Sequence, residues 1–239
     1  MKKLFIASLL AFVLSGCNKD RVVYVQGFGS IESYTYGSTY FRLHDGRWVK
    51  PTNMTLETES GLARQYASGV FSFDDEPDEN NIYPATFYEL LGYNTKTLHY
   101  SADGLADDPF VGINEFEGTE KILCYNNYID IRFTCRTQSG KKPVMEMVCN
   151  KIDRDKREVD MRLYFDSDEM EVDDSYNEAI GLTAFDIKEL TDNHDIEPYD
   201  QQWKINLTVK VFDGTSTNVV EKVYQISYNP GKPFAETEI

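Results

Sequence analysis

Val159-Asp160-Met161-Arg162-Leu163-Tyr164-Phe165 is the stretch of sequence that decides the fold class. Every second residue from Val159 to Phe165 is apolar, and Asp160, Arg162 and Tyr164 lie between them. A period of two residues is typical of a β-strand that buries one face and leaves the other face in water. The stretch therefore predicts a strand in a half-solvated sheet.

The same alternation occurs on both sides of this stretch, separated by turn residues. Because no segment after residue 22 keeps a helical period for three turns, the sequence predicts an all-β protein, either a sandwich or a barrel. We expect residues 128–136, 144–150 and 159–165 to form an antiparallel meander. Further strands are predicted at residues 62–73, 182–187, 204–212 and 219–228, and residues 83–93 are predicted to be a strand or a short irregular segment.

A hairpin is predicted at residues 40–50, around Asp45-Gly46. Asp-Gly between β-rich arms favours a two-residue turn of type I′, in which both central residues have positive φ. That turn would place His44 opposite Arg47 and Leu43 opposite Trp48. We therefore expect Leu43 and Trp48 to face the core, and His44 and Arg47 to face solvent. A linker is predicted at residues 101–108.

The N-terminus has the pattern of a secretory signal. Met1-Lys2-Lys3 precedes an apolar run at residues 4–14, and Leu14-Ser15-Gly16-Cys17 resembles the bacterial lipobox. Eleven residues of helix reach only about half of a ~30 Å hydrocarbon core, so the run is too short to span a membrane. The resemblance implies that residues 1–16 are a signal peptide, that Cys17 carries acyl chains, and that residues 17–21 are a tether.

Three further cysteines follow, at Cys124, Cys135 and Cys149. An odd number leaves two arrangements open, one disulfide with one free thiol or three free thiols. We favour free, buried thiols because Cys135 and Cys149 stand on the apolar phase of predicted strands. No Cys-x-x-Cys or His-x-x-x-His occurs, so no zinc site is predicted.

The charge of the chain argues against polyanionic partners. It has 24 Lys and Arg against 40 Asp and Glu, a net charge of −16, which makes nucleic-acid binding a poor fit. Acidic runs occur at residues 74–79 and 166–174, and both lack the spacing and the turn glycine of a calcium loop. We interpret both runs as solvated loops rather than calcium sites, and we predict no metal and no cofactor.

No catalytic motif can be assigned. The three histidines are His44, His99 and His194, and neither a nucleophile elbow nor a phosphate-binding glycine loop occurs. The sequence therefore predicts a non-catalytic protein. Tyr34, Tyr36 and Tyr40 stand among small residues, a composition typical of adaptable binding loops. They are the candidate binding patch, although tyrosine is also a common strand residue.

Several segments follow one another in a recognisable order along the chain: residues 14–17, residues 28–31 leading to 40–51, and residues 88–96, 108–113 and 128–133. Together they resemble the NigD-like lipoproteins of Bacteroidetes. This resemblance implies an N-terminal OB-like β-barrel domain, here residues 22–100, followed by a C-terminal antiparallel β-sandwich domain, here residues 109–239. The family brings no established catalytic residues.

From these observations we expect a lipid-anchored protein of the cell envelope, an outer-membrane lipoprotein held by acyl chains on Cys17. Its expected role is to bind a protein or a glycan, without nucleic acid and without catalysis. Two alternatives remain open at this point, an immunity protein associated with a bacteriocin or toxin, and an envelope hydrolase. The sequence also leaves open whether the protein faces the periplasm or the cell surface.

Overall fold

The computed structural model describes residues 23–33, 38–115, 122–137, 143–167, 177–192, 202–213 and 218–230. Across these ranges the protein is all-β, as predicted, and its one helical element is the single turn α1 (Glu189–Asp192). The chain forms two compact units that divide between Tyr93 and Asn94. No helix within the described ranges is long and apolar enough to cross a membrane.

The first unit is a closed barrel of five strands. The strands follow the order β1-β2-β3-β5-β4 around the barrel, and β4 pairs with β1 to close it. The β3–β5 pair is parallel, and the other pairs are antiparallel. The strands are β1 (Val25–Ser33), β2 (Thr39–Leu43), β3 (Trp48–Pro51), β4 (Arg64–Phe73) and β5 (Ile82–Gly92).

Three phenylalanines fill the barrel. The ring centroid of Phe71 lies 4.9 Å from that of Phe87 and 6.3 Å from that of Phe41, and all three side chains are fully buried. Neighbouring strand positions have no side chain. A Cβ at Gly69 would lie 2.9 Å from a ring carbon of Phe87, and a Cβ at Gly29 would lie 2.0 Å from the carbonyl oxygen of Arg42.

The β2–β3 hairpin differs from its prediction by one residue. Arg42, not Leu43, lies opposite Trp48, and the Leu43 N–H donates to the carbonyl of Arg47 at 2.9 Å. The loop is therefore His44-Asp45-Gly46, in which only Gly46 has positive φ (89°). Three-residue loops that end in a left-handed residue are the next most common hairpin after the two-residue type. The Asp45 carboxylate accepts from the Arg47 N–H at 3.0 Å, which holds this loop.

The second unit contains two sheets. One has the strand order β10-β11-β13-β14, and the other has the order β6-β12-β9-β7, with β8 also paired to β9. The predicted strands are confirmed, with longer bounds in most cases. The strands are β6 (Asn94–Thr97), β7 (Gly112–Ile113), β8 (Ile122–Tyr125), β9 (Tyr128–Thr137), β10 (Val144–Asp153), β11 (Glu158–Asp166), β12 (Asn177–Asp186), β13 (Trp203–Phe212) and β14 (Val219–Tyr228).

The predicted meander of three strands is wrong. β10 pairs with β11, but β9 pairs with β12 in the other sheet, and β11 runs parallel to β13. An alternating pattern shows that one face of a strand is buried, and strands in both sheets have one buried face, so the pattern does not identify the partner strand. The pattern could not show that the chain changes sheets between β9 and β10.

One hydrophobic core joins the two sheets of the second unit. On β13, Trp203 and every second residue after it to Val211 are buried. Cys135 on β9 and Cys149 on β10 belong to the same core, and both are free thiols, as predicted. Cys124 is a third free thiol and is half-buried. Burial raises the pKa of the Cys135 and Cys124 thiols, which keeps them protonated.

The segment between the barrel and β7 is packed against the second unit. β6 pairs in parallel with β12, although the sequence assigned these residues to the first domain. Within the predicted linker, the Asp108 N–H donates to the carbonyl of Phe165 at 2.9 Å. Phe110, two residues later, is buried among core residues. These residues therefore have fixed partners in the second unit.

We expect Gly29→Ala to destabilise the barrel by about 3 kcal/mol, the upper end of the usual cost of overpacking, because the new methyl group meets backbone atoms of Arg42. Gly27→Ala is the matched variant on the same strand. Its methyl group would meet the flexible end of Leu43, so we expect a smaller loss. Urea denaturation of both variants measures the difference. An equal loss in the two variants would contradict the steric explanation.

Candidate functional site

The outer face of the barrel carries an unusual set of side chains on β1 and its neighbours. Alternation along β1 turns Phe28, Ser30 and Glu32 outward, whereas Ile31 points into the core. The register places Ser30 between Arg42 on β2 and Tyr66 on β4. We call this surface of β2, β1, β4 and β5 the outer barrel face.

Four rings on this face form a stack: Phe28 on β1, Tyr66 on β4, His44 in the hairpin loop and Tyr93 directly after β5. The ring of His44 lies 6.1 Å from that of Phe28 and 5.7 Å from that of Tyr66, and it is within 20° of parallel to both. Tyr66 is followed by Tyr93, whose ring lies 5.7 Å away. The Tyr93 hydroxyl lies 3.2 Å from the Ser68 hydroxyl, within hydrogen-bond distance. We call Phe28, His44, Tyr66 and Tyr93 the aromatic stack.

His44 does not face solvent as the sequence predicted. The three-residue loop turns its ring over β1, where the His44 N–H donates to the carbonyl of Phe28 at 3.2 Å. Its Nε2 atom is buried, and burial holds the pKa of the imidazole well below its ordinary value. The neutral ring is therefore an aromatic element of the stack.

Two tyrosines of the barrel unit are open to solvent. Tyr24 and Tyr88 are 51% and 50% exposed, and their rings meet edge to face at 4.8 Å. Tyr88 follows the core residue Phe87 on β5 and so points outward, and a bulge comes directly after Phe87, because Phe87 pairs with Phe71 and Glu89 pairs with Val70. The Tyr88 hydroxyl lies 3.3 Å from the Ser72 hydroxyl. We call Tyr24, Tyr88 and Phe28, which is exposed on β1, the exposed aromatic group.

A buried ionic cluster lies at the other end of the same face. Arg64 and Arg42 approach the Glu32 carboxylate at 3.5 and 3.8 Å, and the Ser30 hydroxyl donates to it at 2.6 Å. The Arg42 guanidinium also lies over the ring of Trp48, 5.3 Å from its centroid. Buried charges need such partners, because an unpaired buried charge costs several kcal/mol. The two guanidinium groups and the Ser30 hydroxyl therefore compensate the buried Glu32 carboxylate.

Most of the residues that the sequence selected lie elsewhere. Cys17, Tyr34 and Tyr36 fall outside the described residues. Tyr40 is only 8% exposed and packs edge to face against Trp48, with 6.4 Å between the ring centroids. Its ring is therefore not an open binding surface in this structure.

The sequence reasoning missed the exposed aromatic group, although one signal was present. Phe28 alternates with Gly27 and Gly29 on a strand whose other phase carries Ile31. Phe28 therefore shares a phase with Ser30 and Glu32, which is the polar phase. An aromatic residue on a polar strand phase marks a ring that faces outward. Tyr88 gave a weaker signal, because the bulge after Phe87 interrupts the alternation of β5 at this point.

The remaining candidates for chemistry have structural partners. His99 Nε2 lies 3.2 Å from the Glu146 carboxylate, which also pairs with Lys96, and His194 is outside the described residues. In the acidic run at 74–79, the Asp78 carboxylate accepts from the Asn80 N–H at 2.9 Å and so builds the turn. Within the described ranges, no group of three or more His, Cys, Asp or Glu could hold a metal ion.

The lowered pKa of His44 predicts that acid destabilises the protein. Between pH 6.5 and the folded-state pKa, the unfolded chain binds more protons than the folded chain, so the free energy of unfolding decreases as the pH falls. The expected slope is up to about 1.4 kcal/mol per pH unit over that window. His44→Phe keeps a ring in the stack and should show a shallower slope in urea denaturation at about pH 7, 6 and 5. Equal slopes in the two proteins would contradict this assignment.

Comparison with known proteins identifies the fold. No protein-family model and no curated protein matches the chain. Solved structures do match. A protein of unknown function from Bacteroides vulgatus has a TM-score of 0.61 at 16% identity, over 89% of this chain and 94% of that one. A lipoprotein candidate from Bacteroides fragilis has a TM-score of 0.61 at 15% identity, over 86% of this chain and 99% of that one.

A third structure has a more specific description. It is a NigD-like immunity protein from Bacteroides caccae, with a TM-score of 0.54 at 17% identity, over 84% of this chain and 95% of that one. At these identities the similarity shows a common fold. The chain therefore has the fold of a group of Bacteroides proteins that includes a NigD-like immunity protein, which supports at the level of fold the resemblance found in the sequence.

Proposed function

We propose that the protein is a non-catalytic, lipid-anchored component of the cell envelope that holds a protein or glycan partner on the outer barrel face. The observation that carries this proposal is the exposed aromatic group. Tyr24 and Tyr88 each leave half of their surface in water, although the chain has a well-filled core. Exposed rings that cluster on a rigid surface are typical of binding sites.

The rings of the exposed aromatic group have contacts with neighbouring side chains. Phe28 belongs both to the exposed group and to the aromatic stack, so its ring is backed by His44 and Tyr66. Tyrosine and phenylalanine supply a large contact area with few rotatable bonds, and a fixed ring loses little entropy when a partner arrives. The net charge of −16 favours neutral or basic partners over polyanions.

The anchor is the second part of the proposal. The apolar run, the lipobox-like residues 14–17 and the polar residues after them support acylation of Cys17. Two or three acyl chains hold a protein firmly on a bilayer, whereas one chain binds weakly. The lipoprotein candidate among the structures of the same fold agrees with this, and we infer an outer-membrane location.

We also propose the finer architecture that the resemblance implied. The strand order β1-β2-β3-β5-β4, with a parallel β3–β5 pair, supports an OB-like barrel for the first unit. The two sheets that share one core support a β-sandwich for the second unit.

An immunity function against a bacteriocin or toxin is the second candidate. It is favoured by one observation, the description of the Bacteroides caccae structure as a NigD-like immunity protein. In that case the partner on the outer barrel face would be the toxin. Toxin sensitivity of a deletion strain, restored by the wild-type gene and not by a Tyr24→Ala/Tyr88→Ala gene, would favour this candidate.

To test the binding surface, we would immobilise the chain from Asn18 onward and challenge it with envelope extract and with a glycan panel. We expect Tyr24→Ala/Tyr88→Ala to weaken retention of a partner at least ~30-fold, the effect of losing about 2 kcal/mol at a binding hot spot. Ile180→Ala is the matched control, since Ile180 is 63% exposed in the second unit. Equal retention by both variants would refute the proposed surface.

The anchor has a separate test. Cys17→Ser removes the sulfur that would carry the lipid, so we expect the variant to move from the membrane fraction to the soluble fraction when cells are lysed. The expected result for the unaltered protein is membrane association that resists high salt and yields to detergent. Membrane association of Cys17→Ser equal to the unaltered protein would contradict lipidation at this residue.

A further inference from the structure

The two sheets of the second unit end in strands with one unpaired edge, and most of these edges are protected. The sheet edges that remain open in proteins are usually shortened, bulged or covered, because a bare edge invites another strand to pair. In the five-stranded sheet, the edge strands β6, β7 and β8 have four, two and four residues. Strands this short offer few backbone groups to a partner.

β10, one edge of the other sheet, is protected in a different way. Its pairing with β11 shifts register between Cys149 and Lys151, which marks a bulge. Its free side is covered by His99: the His99 N–H donates to the carbonyl of Met147 at 2.9 Å, and the Cys149 N–H donates to the carbonyl of His99 at 2.8 Å. A second strand could not pair along this edge without displacing His99.

β14 is the exception. It has ten residues, and all of them pair with β13 in one unbroken register. Within the described part of the chain, no strand pairs with its other edge. Val223 on its outward phase is 59% exposed, and Val219 on the same phase is also exposed. A long, regular edge with exposed valines is the kind of edge that pairs with another chain.

We propose that β14 pairs antiparallel with β14 of a second copy of this chain, with Val223 opposite Val223 on the two-fold axis. A symmetric interface of this kind brings the same residues together from both copies. The two four-stranded sheets would then form one continuous sheet of eight strands.

The side chains of β14 select this register. In a two-fold pair, residues of the same phase face each other, so the centre must fall on a residue. A centre at Glu221 or Lys222 would set like charges directly opposite each other, which is destabilising. Centres at Val223 and at Tyr224 both avoid like-charge pairs, and only the centre at Val223 brings the two exposed Val223 side chains together. It sets Glu221 opposite Gln225 and Lys222 opposite Tyr224, and it uses residues 219–227.

The net charge of the chain predicts how dimerisation should depend on salt concentration. Two copies with a net charge of −16 repel each other, and salt screens such repulsion over about 8 Å at physiological ionic strength. The contact itself depends on backbone hydrogen bonds and valine side chains. Dimerisation should therefore strengthen as the salt concentration rises, whereas an interface held by ion pairs would weaken.

A cysteine trap tests the register. We would prepare the chain from Asn18 onward, which keeps every described residue, with Val223→Cys or Val219→Cys, and oxidise both under mild conditions. Directly opposite Cβ atoms lie about 5 Å apart, within reach of a disulfide after small shifts, so Val223→Cys should form linked dimers at least ~10-fold faster than Val219→Cys. The unaltered chain, with Cys135 and Cys149 buried, is the blank.

Sedimentation at increasing concentration and salt gives an independent measurement. We expect a reversible dimer in the unaltered chain, its loss in Val223→Lys and its retention in Ile180→Lys, with unchanged melting temperatures. A chain that stays monomeric, as it would if β14 served another protein, overturns the proposal. So does a dimer that survives Val223→Lys, or a Val219→Cys variant that links as fast as Val223→Cys.

Discussion

The first unit depends on one steric constraint, the small interior of a five-stranded barrel. Phe41, Phe71 and Phe87 fill that interior, and their rings contact one another at centroid distances of 4.9 to 6.3 Å. There is room for them because Gly27 and Gly69 have no side chain: a Cβ at Gly27 would lie 3.4 Å from a ring carbon of Phe71, and a Cβ at Gly69 would lie 2.9 Å from a ring carbon of Phe87. Bulky rings and bare backbone must therefore be matched residue by residue, as close packing requires.

This packing also explains the character of the outer surface. The inward-facing residues of β1 and β4, which include glycine, alanine and phenylalanine, form the core of the barrel. The outward-facing residues of the same strands make no contribution to that core, so their side chains can serve another role. Aromatic rings and a paired carboxylate occupy these outward positions instead of the usual charged residues. His44 and Tyr66 stack on the ring of Phe28, and the rings of Tyr24 and Tyr88 pack edge to face against each other. A stiff aromatic surface is the physical basis of the proposed binding role.

Strand positions were predictable from the sequence, and strand partners were not. The alternation from Val159 to Phe165 reports which side chains are buried, and the structure agrees. Whether β9 pairs with β10 or with β12 depends on long-range packing that alternation does not encode. The hairpin at Asp45-Gly46 failed for a local reason, since the same dipeptide fits loops of two and of three residues. That single residue moved His44 from the solvent into the aromatic stack and hid the candidate site.

The pairing of β6 with β12 has a consequence for how the chain folds. All partners of the barrel strands lie at or before Gly92, so the barrel can close as soon as that part of the chain has been made. β6 follows almost immediately in sequence, yet its partner β12 comes only after the strands β7 to β11. Contacts between residues that are distant in sequence form slowly, because closing the intervening loop costs conformational entropy before the contact forms. A finished barrel would therefore be present while the second unit still waits for its last strands, and a truncation before β12 should leave β6 without its partner strand.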